Sequence, residues 1–149
     1  MPSFLEDCHA IRQVYIRYCE IVDLKDFDRM VEVFTEDTVG DYTSLRPGDL
    51  RIGIRPLIDR MHMNLGKGSN CGATHHNVGN FRIQVDGDRA RAKVYYYALH
   101  RGLGRFAGAL YSMWGQYDDE LVRTADGWRV KKRLYQSMLR DGPMVTSRD

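Results

Sequence analysis

The chain predicts an α+β fold, three helices packed on one face of a strongly curved, mostly antiparallel sheet, and three observations predict it. Apolar residues in the first part of the chain recur at three- and four-residue intervals, the spacing of a buried helical stripe. From Ala73 onward the period becomes two, the spacing of half-buried strands. Two turn sequences, Asp86-Gly87-Asp88 and Thr124-Ala125-Asp126-Gly127, divide that second part into long strands, so the helices precede the sheet instead of alternating with it.

Taken in order, Ile11, Val14, Tyr15, Tyr18, Ile21 and Val22 share one face of a helix from Ser3 or Phe4 to about Leu24. Asp26 or a neighbour can cap a second, short helix in which Phe27, Met30, Val31 and Phe34 are buried and which Thr35, Glu36 and Asp37 end. A short strand, Val39 to Thr43, follows, then the turn Arg46-Pro47-Gly48-Asp49. Gly53-Ile54-Arg55-Pro56 leads into a third helix with Leu57, Ile58, Met61 and Leu65 on its inner face, and Gly66, Gly68, Ser69 and Asn70 release the chain into a loop. The strands expected next are Asn80 to Val85, Ala90 to His100, Phe106 to Val122 and Trp128 to Met138. Gly108 and Gly115 let the long strands bend, so the sheet can wrap into a half-open cone with a pocket between helix and sheet. Residues 1–140 form the predicted single domain and 141–149 a polar tail.

Composition narrows the function classes. A chain of 149 residues supports one core that buries roughly two thirds of the unfolded surface. With 43% apolar and 28% charged residues and a net charge of +2, a general nucleic-acid or membrane-surface role has no electrostatic support. The basic run Arg129, Lys131, Lys132 and Arg133, alternating with Val130 and Leu134, reads as a solvated strand edge. Three widely spaced cysteines, Cys8, Cys19 and Cys71, with no secretory segment before Cys8, point to reduced thiols and a cytoplasmic protein. The apolar stretches are far shorter than the roughly 20 residues of a membrane span.

Asp23, at the end of the first helical stripe, with His76 and His100 on strand segments, contains the parts of a general acid–base unit: a carboxylate to orient an imidazole and an imidazole to move a proton. Taken singly, each residue has a plainer role. Asp23 can hold the chain entering the second helix, His76 beside His75 can be a solvent-facing pair, and His100 can be a strand-end surface residue. Period-two alternation puts Tyr96, Ala98 and His100 on one strand face. Adjacent strand residues face opposite ways, so His75 and His76 do not ligate one metal ion together. No metal or other cofactor is expected, and neither a phosphate loop nor a Gly-x-Ser-x-Gly elbow occurs.

The runs Val22-Asp23-Leu24-Lys25-Asp26-Phe27-Asp28-Arg29-Met30, Gly40-Asp41-Tyr42-Thr43-Ser44, Thr74-His75-His76-Asn77-Val78-Gly79-Asn80 and Asp126-Gly127-Trp128 together resemble the SnoaL-like branch of the NTF2-like superfamily, closest to its scytalone dehydratases. The resemblance spans nearly the whole chain in the same order. It implies a cone-shaped α+β barrel, a homodimer or homotrimer, and a cofactor-independent lyase or isomerase site inside the cone. By position it gives Asp23 the part of the orienting carboxylate, His76 and His100 the two imidazoles, and Tyr42 the phenol that holds a water against a substrate carbonyl. Either His100 or His76 could be the ring that Asp23 holds. The chain departs from the dehydratases at Val22, where they have a second water-holding tyrosine, and at Gly115 and Tyr117, where they have serine and asparagine. Hexachlorocyclohexane dehydrochlorinases are similar at Asp23 and His76, which implies β-elimination with another leaving group. The expected activity is loss of water from a small cyclic hydroxy ketone, in a pocket for a flat apolar or aromatic-like ligand lined by Tyr18, Val22, Met61, Tyr96, Met113 and Tyr117, with Trp114 also facing it. The alternatives are a non-catalytic ligand-binding or assembly subunit of the same fold, or an isomerase.

Overall fold

A computed structural model describes residues 1–148. Helix α1 runs Phe4–Leu24 and starts in a capping box, in which Ser3 Oγ accepts from the Glu6 backbone N–H and the Glu6 carboxylate accepts from that of Ser3. It ends where Lys25 turns left-handed at φ 57°. The second helix is one 3-10 segment, Phe27–Glu32, and not the longer stripe expected: Phe34 opens strand β1 (Phe34–Asp41) instead of closing a helix. Leu50–Ile52, between the predicted turn Arg46–Asp49 and the third helix, is a strand the sequence does not announce, β2, and helix α2 spans Ile54–Leu65. Strands β3 (Cys71–Asp86), β4 (Arg89–Gly102), β5 (Leu110–Thr124) and β6 (Gly127–Asp141) follow, each but β5 longer than expected. A 3-10 turn, Gly104–Phe106, takes the place of the predicted start of β5.

The sheet order is β2-β1-β6-β5-β4-β3, with β1 and β6 parallel and every other pair antiparallel. Strands β2 and β3 are its two edges, so the sheet stays open, and the helices cover its inner face as the α+β reading expects. The core lies between them, built from Ile11, Tyr15, Phe27, Met30, Val94, Leu121 and Val130 among others. After β6 the chain returns: Val145 is wholly buried and Ser147 pairs with Asn70 through its backbone carbonyl, so the segment read as a polar tail packs in part against the body. Asp149 lies outside the described residues.

Two bulges reset the inward face. In β3 the register shifts between Gly79 and Arg82, where Asn80 has φ 51°, so His76 and Val78 share a face with Phe81, Ile83 and Val85. In β6 it shifts opposite Glu120 and Leu121, and Trp128 and Val130 are followed inward by Arg133 and Tyr135. The basic run is therefore no solvated edge throughout: Arg133 is buried, while Leu134, expected to alternate with the charges, is exposed. Among the described residues no helix is long and apolar enough to cross a membrane.

Candidate active site

Asp23 sits in the last turn of α1, which packs across β3, and that crossing brings its carboxylate to His76. The pair is close: His76 Nδ1 lies 2.7 Å from Oδ1, the His76 backbone N–H donates to Oδ2 at 3.0 Å, and the Thr74 hydroxyl donates to Oδ1 at 2.8 Å. Burial would raise the Asp23 pKa, but these three hydrogen bonds and the His76 ring outweigh it and hold the carboxyl below its ordinary value. A carboxylate can only accept, so Nδ1 carries the hydrogen and Nε2 is left as the basic nitrogen. The His76 side chain is 6% exposed, against 24% for Asp23 behind it. His75 points the other way, to Asn77 at the exposed face.

His100 is not Asp23's partner. It lies on β4 with its Nδ1 3.0 Å from the backbone carbonyl of Tyr111, its cross-strand neighbour on β5. That acceptor again fixes the hydrogen on Nδ1. Burial, reinforced by the neighbouring His76 ring, pushes the His100 pKa down to about 4, so this ring is neutral at pH 7. The two imidazoles stand edge to face with centroids 5.7 Å apart. Folding therefore excludes the charged form of His100, and that contribution to stability is full above the unfolded value near 6.5 and is lost as the pH falls from there through about 4. The expected nitrogen-15 spectrum shows the Nδ1–H tautomer of His100 unchanged from pH 8 to pH 5.5; titration of that ring near its ordinary pKa would contradict the buried assignment.

Both rings face one half-open cavity, lined also by Tyr18, Tyr42, Met61, Tyr96, Met113, Tyr117 and Tyr135. Of the residues expected to bind a ligand, Tyr18, Met61, Tyr96, Met113 and Tyr117 line this cavity. Val22 does not: it is wholly buried in the core and does not line the cavity. Trp114 does not either, because it stacks on Tyr97 at 5.2 Å, outside the residues that line the cavity. Gly115 must be glycine, since a Cβ there would meet the Tyr96 hydroxyl and the Gln136 carbonyl. Tyr96 donates to the Tyr135 hydroxyl at 2.6 Å, which leaves the Tyr135 hydrogen for another acceptor. Burial pushes the Tyr96 pKa up to about 12 and those of Tyr117 and Tyr135 well above the ordinary phenol value, so all three remain donors at neutral pH. The Tyr42 hydroxyl is buried with no hydrogen-bond partner.

Sequence reasoning missed Tyr135 and the arginines Arg46, Arg51 and Arg60, which line the cavity as well. Tyr135 is hidden by the β6 bulge. Arg51 lies on the three-residue strand β2, too short for its local pattern to mark it as inward.

The comparisons agree with this architecture. The family model of the SnoaL-like domain matches residues 3–134. A Mycobacterium tuberculosis protein without a described function is 34% identical over 132 residues, covering 87% of this chain and 84% of its own. Two solved structures from Novosphingobium aromaticivorans are similar throughout. One, described provisionally as an aromatic ring hydroxylase, has a TM-score of 0.83 at 26% identity and covers 95% of this chain and 96% of its own. The other, described provisionally as a scytalone dehydratase, has a TM-score of 0.81 at 22% identity, covering 92% and 87%.

Proposed function

This chain belongs to the SnoaL-like family, and from that premise and the geometry of its cavity we propose that it is a cofactor-independent lyase eliminating water from a small cyclic hydroxy ketone. The Asp23–His76 pair, 2.7 Å apart with the ring aimed into the cavity, is the observation that carries the reading. His76 Nε2 takes the proton next to the carbonyl, and Asp23 stabilises the imidazolium that forms. The enolate oxygen is met by the free hydroxyl of Tyr42, directly or through a water. The C–O bond then breaks, and the departing hydroxide takes back the proton from His76. His100 has no proton on Nε2 to give at neutral pH, so it receives a hydrogen bond from the substrate hydroxyl and positions it. One ring that takes and returns the proton implies elimination from a single face. The hydroxylase name carried by one similar structure brings no redox group into this proposal.

The test is an absorbance screen of cyclic β-hydroxy ketones, with β-halo ketones beside them to identify the leaving group. The wild type forms the conjugated enone, and His76→Ala slows it by roughly 10^2 to 10^4 at an unchanged melting temperature. Ligand binding without turnover in the wild type would replace the lyase by a binding module. Tyr42→Phe separates site from scaffold. Removing an unpartnered buried hydroxyl leaves stability equal or up to about 1 kcal/mol higher, while turnover falls roughly a hundredfold.

A further inference from the structure

The mouth of the cavity holds more positive charge than the protein neutralises. Arg46, Arg51 and Arg60 converge on one carboxylate, Asp49, at 3.9, 3.0 and 4.0 Å, and Asp49 is almost fully buried. The other titratable groups facing the cavity are the tyrosines and His76 and His100; Asp23 lies behind His76 and is committed to it. Arg46 is held besides by the carbonyl and hydroxyl of Thr146. Arg51, 5% exposed, commits Nε and Nη2 to Asp49 and lies 3.7 Å over the Tyr42 ring. Beside it the Tyr42 hydroxyl has no partner. Two unbalanced guanidinium charges, that of Arg51 almost fully buried, are stabilised by an anion. From Tyr42 the rings of Tyr135, Tyr96 and Tyr117 follow in contact, with centroid spacings of 5.0, 5.1 and 4.8 Å, and Tyr18, 5.5 Å from Tyr117, stands edge to face with His76 at 6.4 Å.

We infer that Arg51 and Arg60 form a carboxylate subsite, so that the cavity takes a flat ligand with an acid group at the mouth and its reacting carbon at His76. Only the position of the reacting carbon rests on the lyase reading. The planar guanidinium of Arg51 suits a planar carboxylate, and the tyrosine series suits the ring that bears it.

Calorimetric titration with naphthalene-2-carboxylate and with naphthalene-2-carboxamide, which has the same shape without the charge, tests the subsite apart from turnover. The wild type binds the carboxylate about tenfold more tightly. Arg60→Gln, at a half-exposed position, reduces that preference severalfold, whereas Asp49→Asn, which removes the competing carboxylate, increases it. Opposite signs cannot come from general loss of fold, which lowers both. His76→Ala keeps the preference. Equal affinity for the two probes, or a preference that Arg60→Gln leaves unchanged, overturns the subsite even if the lyase activity is found. A retained preference without turnover upholds the subsite and removes the lyase reading instead.

Discussion

Replacing Asp119 with alanine lowers the stability of this protein by about 3–5 kcal/mol, which for a chain of this size is a fall in melting temperature of about 10 °C. Asp119 and Arg133 face each other across β5 and β6 with both side chains at 0% exposure. Nη2 and Nε donate to the carboxylate at 2.9 and 3.1 Å, and the Tyr15 hydroxyl adds a third bond at 2.8 Å. Burial opposes the charge on Arg133, but the Asp119 carboxylate outweighs it and holds the guanidinium pKa far above its ordinary value. The guanidinium also lies 3.9 Å from the centre of the Tyr117 ring and 4.5 Å from that of Tyr18. Alanine at 119 leaves this cation buried and unpaired, and Nη1 already has no partner. The double variant Asp119→Leu with Arg133→Met loses far less, because removing both charges removes the desolvation cost with the attraction. Thermal unfolding of the three proteins measures both effects. A single variant within about 1 kcal/mol of the wild type would show that the pair does not hold the two strands together.

Asp23→Asn lowers kcat roughly 10^3-fold, with little change in KM. The amide keeps the shape and can still accept from the His76 backbone or Thr74, so α1 stays docked on β3. It cannot stabilise an imidazolium, and its NH2 group, turned toward Nδ1, favours the tautomer with hydrogen on Nε2, which is no base toward the cavity. The signature is therefore a changed His76 tautomer in the nitrogen-15 spectrum together with the lost turnover. Loss of turnover with the Nδ1–H tautomer intact would mean that Asp23 acts only through position, and full activity would remove the dyad from the mechanism.

The order of elements was legible because each depends on short-range pattern. The apolar stripe Ile11 to Val22, the Ser3 cap and the Gly87 turn are set within a few residues, and the structure places α1 and the β3–β4 hairpin there. Phase along a strand is not set so locally. One extra residue at a bulge exchanges inward and outward faces, so counting back by twos from Phe81 puts His75 inward, whereas the bulge at Asn80 turns His76 in. The same effect in β6 made Arg133 look solvated and concealed Tyr135. His76 came within reach only because the resemblance set its register.

By itself the sequence determined an α+β chain of SnoaL-like order and placed Asp23, Tyr42, His76 and His100 as the polar residues to examine. Tertiary structure alone decided that Asp23 bonds His76 and not His100, that Val22 and Trp114 stay out of the cavity, and that Arg51 faces it with Asp49 buried beside it. The reason is physical: helix and turn signals are local, while which imidazole meets a carboxylate 53 residues away depends on how α1 crosses the sheet and on where the sheet's bulges fall.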